Sequence, residues 1–151
     1  MKAKYKYVHT NLIAEDWKSL ADFYIKVFGC KIVPPERDYI GKDLDDATGL
    51  QNAHLQGVHI RLPGWETNGP TLEIFSYNKL AIRKNKEVNS TGFGHIAFEV
   101  NDVYKAREEI IVRGGKDVGK IVTLTTKNGS KVTWCYMTDP EGNIFELQSW
   151  E

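Results

Sequence analysis

The sequence predicts an α+β fold made of two tandem βαβββ modules, and three observations predict it. The segments from Val8 to Gly29 and from Gly94 to Gly115 share one plan: a short strand carrying a histidine, an acidic cap, and an amphipathic helix that stops at glycine. Each is followed by runs that alternate apolar and polar residues between turn signals, the period-two pattern of half-buried strands. The 151 residues, 41% of them hydrophobic, are one ordinary domain's worth of chain, enough to bury roughly two thirds of the unfolded surface without staples. Residues 1–151 are therefore read as a single domain composed of module 1 (1–78), a linker (79–91) and module 2 (92–151).

In module 1, YVHTNLIA is the opening strand. Asp16 is placed to cap a helix in which Trp17, Leu20, Phe23, Tyr24 and Val27 recur at spacings of three and four, with Gly29 just past its end. Lys31 to Val33 form the next strand. The polar stretch from Pro34 to Gly49 is long for a connection inside a compact domain, which leaves two readings open, a flap over a site or a plain surface loop. The alternating strands HLQGVHIRL and TLEIFSY follow, parted by Pro63, Gly64, Asn68, Gly69 and Pro70. The charged connector LAIRKNKEVNS reads as a solvated linker. In module 2, GHIAFEV opens, Asn101 or Asp102 caps a helix striped by Val103, Ala106 and Ile110, and Gly114 or Gly115 stops it. KIVTLTT, an Asn128-Gly129 hairpin turn, KVTWCYM, the turn Asp139-Pro140-Glu141-Gly142 and NIFELQS complete the module.

Twenty basic and twenty acidic side chains cancel, so no broad positive field exists to hold nucleic acid or an anionic membrane surface. The N-terminal stretch MKAKYKYVHTNL has no apolar core of signal-peptide length, and no later run approaches the roughly 20 apolar residues of a membrane span. The expectation is a cytoplasmic protein. Cys30 and Cys135 stand far apart, outside any CxxC pattern, and are expected to remain reduced as small apolar fillers.

Four ionisable residues recur at matching places: His9 and His95 in the opening strands, Glu73 and Glu146 in the closing ones. Alternation sends Val8, Thr10, Leu72, Ile74, Ile96, Phe98, Phe145 and Leu147 to the opposite face, where they can pack on helices. It leaves His9 with Asn11, Glu73 with Phe75, His95 with Ala97 and Glu146 with Gln148. If the two sheets curve around a shared hollow, two imidazole nitrogens and two carboxylates converge, a donor set suited to zinc, nickel, cobalt, iron or manganese. A single strand histidine or glutamate is more often exposed or hydrogen-bonded than ligating; the duplication is what singles these four out.

Together, VHTNLIAEDWKSLADFYIKVFGC, TLEIFSYN, GFGHIAFEV and DPEGNIFELQSW resemble the vicinal oxygen chelate superfamily, the glyoxalase, bleomycin-resistance and dioxygenase group, over nearly the whole chain. The resemblance implies a cup-shaped mixed sheet with helices outside, and metal ligands at the positions of His9, Glu73, His95 and Glu146. Extradiol dioxygenases and fosfomycin-modifying enzymes of that family use two histidines and one carboxylate. Methylmalonyl-CoA epimerases commonly carry Gln at the second ligand position. Metal-dependent glyoxalase I has the full His, Glu, His, Glu set and is the nearest match.

By the family pattern Glu146 is the catalytic base, with Glu73 a second proton carrier, in a lyase or isomerase that stabilises an enediolate from a small 2-oxo aldehyde adduct or a related 2-oxo or 2-hydroxy compound. The alternatives are a drug- or metabolite-binding protein of the bleomycin-resistance type, a methylmalonyl-CoA epimerase-like isomerase, and a module without catalysis. A homodimer is expected, with the modules paired inside one chain or exchanged between partners. Two positions depart from bacterial glyoxalase I. Ile13 stands where an arginine would hold glutathione's carboxylate, and Tyr77 stands where an asparagine is usual, with Asn78 one further on. Asn11, Arg61, Phe75, Tyr77 and Gln148 are the candidate substrate-pocket residues. His59 shares a strand face with Arg61, His54 reads as structural, and Trp134, Tyr136 and Trp150 are either pocket walls or core.

Overall fold

The computed structural model describes residues 4–81 and 87–151. The linker expected over 79–91 falls in part on residues 82–86, and the N-terminal segment in part on residues 1–3, both outside the described residues. The chain divides into two compact units, Met1–Ile82 and Arg83–Glu151.

The first unit runs β1 (His9–Ile13), α1 (Trp17–Phe28), β2 (Lys31–Ile40), α2 (Lys42–Thr48), β3 (His54–Arg61) and β4 (Thr71–Tyr77). Its sheet has the order β1-β4-β3-β2. β1 lies parallel to β4 and the other pairs are antiparallel. The cap expected at Asp16 forms: its carboxylate accepts from the backbone N–H groups of Lys18 and Ser19, both at 3.1 Å. Hydrogen bonds from the Ser19 side chain and backbone hold that carboxyl below the usual range. α1 ends at Gly29, whose φ of 69° closes the helix in the left-handed region. The stripe buries Leu20, Ala21, Phe23 and Tyr24 against Val58, Ile60, Leu72 and Ile74, which are also buried. Each large side chain fully covered in this way contributes about 1.5–3 kcal/mol.

The stretch from Pro34 to Gly49 differs from the expected loop or flap. β2 continues through it to Ile40, and α2 follows. The ladder between β2 and β3 breaks between Val33 and Arg37 and then resumes at Arg37 opposite Gly57. Pro34 and Pro35, joined by a cis peptide bond, have no N–H to give, and an edge strand with a bulge is where a sheet accepts them. The return from α2 is tied by Asp45, whose carboxylate accepts from the N–H groups of Asn52 and Ala53, both at 2.8 Å. His54 behaves as a structural residue, its Nε2 2.6 Å from Asp38 Oδ1. That contact and one from Gln56 hold the Asp38 carboxyl below its ordinary value.

The second unit runs β5 (Ile96–Glu99), α3 (Val103–Val112), β6 (Lys116–Asp117), β7 (Val122–Thr125), β8 (Lys131–Thr138) and β9 (Ile144–Trp150). Its sheet is ordered β5-β9-β8-β6, with β7 also paired to β8. The run expected as a strand over KIVTLTT forms β7, and β6 is a further two-residue strand ahead of it. Asp102 is the cap, accepting from the N–H groups of Tyr104 and Lys105 at 3.0 and 3.1 Å. The helix stops by sharing its last carbonyls: Gly114 N–H bonds Ile111 O and Gly115 N–H bonds Ile110 O, which needs the φ of 93° that Gly114 adopts. Phe98, Val103, Ile110, Cys135, Met137, Phe145 and Leu147 form the buried core. No helix among the described residues is long and apolar enough to cross a membrane.

Asp139 closes the β8–β9 hairpin from inside. It is 1% exposed; its Oδ1 accepts from the N–H groups of Glu141 and Asn143, each at 2.9 Å, and its Oδ2 from the Asn143 side-chain amide at 2.7 Å. Removing a buried carboxylate that satisfies three donors leaves those donors dry. Asp139→Ala is expected to lower stability by about 2–3 kcal/mol, read as a fall of about 4–12 °C in the thermal unfolding midpoint. Both cysteines are free and buried, and burial pushes the Cys30 thiol up to about 12 and the Cys135 thiol to about 11. Neither is expected to react with a thiol-specific disulfide reagent at pH 8 in the native state, and both are expected to react once denaturant exposes them.

Candidate metal centre

β4 and β9 each carry a glutamate between two buried apolar residues: Leu72-Glu73-Ile74 and Phe145-Glu146-Leu147. Alternation leaves the carboxylate no choice of face, because reversing it would put two core side chains into water. Within the first unit Glu73 meets His9, with His9 Nε2 2.7 Å from Glu73 Oε1. Within the second unit Glu146 meets His95, with His95 Nε2 3.2 Å from Glu146 Oε2. In both pairs the carboxylate is the more covered partner: side-chain exposure is 14% for Glu73 against 39% for His9, and 17% for Glu146 against 32% for His95. His95 stands one residue before β5, so its ring is delivered by the approach to the strand rather than by the ladder.

Register decides what else borders each carboxylate. Glu73 lies opposite Asn11 on β1 and opposite His59 on β3. Glu146 lies opposite Ala97 on β5 and opposite Tyr136 on β8. His59 and Tyr136 therefore hold corresponding places in the two units. His59 Nε2 is 3.0 Å from Glu73 Oε2, its Nδ1 is 3.3 Å from Thr71 Oγ1, and its ring stands edge-on to His9 with centroids 5.9 Å apart. Desolvation by burial pulls the His59 pKa below its usual value, against the attraction of Glu73. His9, His59 and Glu73 each offer a donor atom, all within 4.8 Å of one another, and these three residues could hold a metal ion. Tyr136 instead packs its ring on His95, centroids 4.8 Å apart, and on Trp134 at 4.9 Å.

The sequence reading noticed His59 only as a neighbour of Arg61. The missing step was the β3–β4 register, which a nine-residue turn between Arg61 and Thr71 does not announce; a hairpin centred on Glu66, as the ladder shows, puts His59 opposite Glu73.

The remaining pocket residues divide. Phe75 shares the Glu73 face of β4, is buried, and sets its ring 5.7 Å from that of His59. It lies over Gly57, where an added Cβ would come within 2.3 Å of the Phe75 ring and 2.1 Å of Ile74 O, so only glycine admits that approach. Asn11 donates from Nδ2 to Glu73 O at 3.4 Å. Arg61 spends Nη1 on Gly69 O at 3.2 Å, inside its own turn. Tyr77 falls opposite Leu55 on the Glu73 face, and Gln148 opposite Trp134 and Glu99 on the Glu146 face. Trp134 and Tyr136 share that face, half-buried, whereas Trp150 is exposed. Asn78 is structural: its side chain bonds His54 N–H and Asn52 O, both at 3.0 Å.

Comparison with known proteins agrees with this architecture. Among curated proteins no sequence matches significantly. A glyoxalase family protein from Bacillus cereus superposes with a TM-score of 0.81 at 17% identity, covering 99% of this chain and 96% of that one. A glyoxalase I variant from Zea mays superposes with a TM-score of 0.63 at 24% identity over 95% of this chain, which spans 44% of the maize protein. A variant of the fosfomycin resistance protein FosX from Listeria monocytogenes, complexed with Mn(II) and a dihydroxypropylphosphonic acid, superposes with a TM-score of 0.54 at 17% identity, covering 95% of this chain and 91% of that one. At these identities the likeness is one of fold. The sequence profile of the Glyoxalase/Bleomycin resistance protein/Dioxygenase superfamily matches residues 6–147, and the chain belongs to that superfamily.

Proposed function

We propose that this chain is a divalent-metal-dependent lyase or isomerase of the glyoxalase type, with His9, Glu73, His95 and Glu146 as the protein ligands of its ion. The observation that carries the reading is the repeated histidine–glutamate pair, with nitrogen-to-oxygen separations of 2.7 and 3.2 Å. Donors held about 2.1 Å from one ion lie about 3 Å from their neighbours around it, so both pairs already have the spacing of adjacent ligands. The donor chemistry fits as well: imidazole nitrogens and carboxylate oxygens are the ligands of zinc, nickel, cobalt, manganese and iron. An ion in this place would supply Lewis-acid polarisation of a substrate oxygen.

The chain's own residues supply the rest. Glu146 takes the proton alpha to the carbonyl and returns it. Its cross-strand neighbours are the small Ala97 on β5 and Tyr136 on β8. Glu73, fixed between His9 and His59, would help hold the ion and receives the proton only secondarily. The substrate is a small 2-oxo aldehyde adduct or a related 2-oxo or 2-hydroxy compound. Its thiol portion, if it has one, is not held at residue 13, where Ile13 brings no charge, and Arg61 is already bonded to Gly69 O.

Purified protein is expected to carry one divalent ion per chain by elemental analysis, and a chelator is expected to abolish turnover until the same ion is restored. Glu146→Gln is expected to lower kcat/KM by about 10²- to 10⁴-fold, the range of a lost general base. Metal without hemithioacetal isomerisation would leave the centre standing and remove glyoxalase I as the reaction; protein that neither holds nor binds metal would point to the binding-protein branch.

A further inference from the structure

We propose that His59 is a metal ligand, so that the first unit by itself forms a two-histidine, one-carboxylate site from His9, His59 and Glu73. The inference rests on the reading above in taking His9 and Glu73 as ligands, and it goes beyond it by adding a donor from β3.

Three independent features support it. Position comes first: His59 is the cross-strand neighbour of Glu73, and its Nε2 faces Glu73 Oε2 at 3.0 Å while His9 Nε2 faces Glu73 Oε1 at 2.7 Å. The two nitrogen-to-oxygen separations, 2.7 and 3.0 Å, match the roughly 3 Å between adjacent ligands about 2.1 Å from one ion, and all three donor atoms lie within 4.8 Å of one another. Next is the orientation of the ring. Metal-bound histidines nearly always give their other ring N–H to an acceptor that fixes the tautomer. His59 has such a partner in the Thr71 hydroxyl, 3.3 Å from Nδ1 on the buried end of β4. With Nδ1–H directed at Thr71, the lone pair sits on Nε2, toward Glu73. The third is packing, since the ring is held between the edge of His9 and Phe75, with centroids 5.9 and 5.7 Å away, and is 20% exposed as a side chain. A rigid imidazole loses little freedom on binding an ion.

Two imidazoles and one carboxylate are the protein ligands of catalytic zinc sites that keep an open position, and of the facial triad around iron. Among the described residues the second unit shows no equivalent, and Tyr136 occupies the place that His59 holds in the first. The first unit would thus anchor an ion by itself.

The test is titration of metal-free protein with Zn²⁺, read by competition with a chromophoric chelator. It compares the parent chain, His59→Ala, His59→Phe, the double variant His95→Ala/Glu146→Ala, and that double variant carrying His59→Phe as well, each checked for folding by circular dichroism. His59→Phe keeps an aromatic ring between His9 and Phe75 while removing the donor, so it separates ligation from packing. Replacing a residue that only orients a ligand costs about 10- to 100-fold in metal affinity, and both single variants are expected to lose at least that much. The double variant is expected to retain one Zn²⁺ per chain, and adding His59→Phe to it is expected to abolish binding. Unchanged affinity in His59→Phe, or no Zn²⁺ in the double variant, overturns the proposal. If the double variant binds as tightly as the parent while His59→Phe fails, the inference holds and the four-ligand reading falls. If the double variant loses Zn²⁺ and His59→Phe keeps it, the reverse is true.

Discussion

The site depends on a conflict that β4 and β9 resolve in the same way. Each strand must bury the residues on either side of a glutamate, Leu72 and Ile74 in one case and Phe145 and Leu147 in the other, all of them 0% exposed. Strand alternation then drives the carboxylate to the far face and covers most of it there. A largely covered carboxylate is costly unless something positive or hydrogen-donating meets it. In both units a histidine does so, His9 at the start of the neighbouring parallel strand and His95 one residue before it. The helices, the caps that start them and the turns that aim β4 and β9 all serve that placement. Asp139, buried within the turn before β9, is the clearest instance: three hydrogen bonds to its carboxylate shape the loop from which Glu146 emerges three residues later.

Much of this was legible from residues alone, for reasons that can be named. Both helix starts were marked by acidic caps and both ends by glycines. The pairing of His9 with Glu73 and of His95 with Glu146 followed from repeat symmetry, without knowledge of any register. The DPEG turn is short, and its centre points to Tyr136 opposite Glu146, yet that residue was noted only as pocket wall or core.

What stayed hidden was whatever depended on long-range register or on local exceptions to propensity. A run beginning Pro-Pro and rich in charge reads as loop, but β2 is an edge strand whose broken ladder tolerates the prolines, and Asp45 ties the return from α2 through two backbone N–H groups. Lys116 and Asp117 are too few to show alternation, so β6 had no periodic signal; Arg107 on α3 pairs with Asp117 from the helix side. His59 was visible as a residue and invisible as a partner. Arg61 is a parallel case: the sequence displayed its charge, while the carbonyl of Gly69 that its Nη1 engages lay within an irregular turn.

The correspondence of His59 with Tyr136 bears on how such a repeat can diversify. Histidine and tyrosine codons differ at a single base, so either unit can acquire the other's residue at this place in one mutational step. Both residues are flat rings of similar reach, and the strands that carry them already accept such a ring. A repeated scaffold of this kind can therefore exchange an imidazole for a phenol beside its carboxylate while its backbone stays intact, and drift between chemistries without passing through an unfolded ancestor.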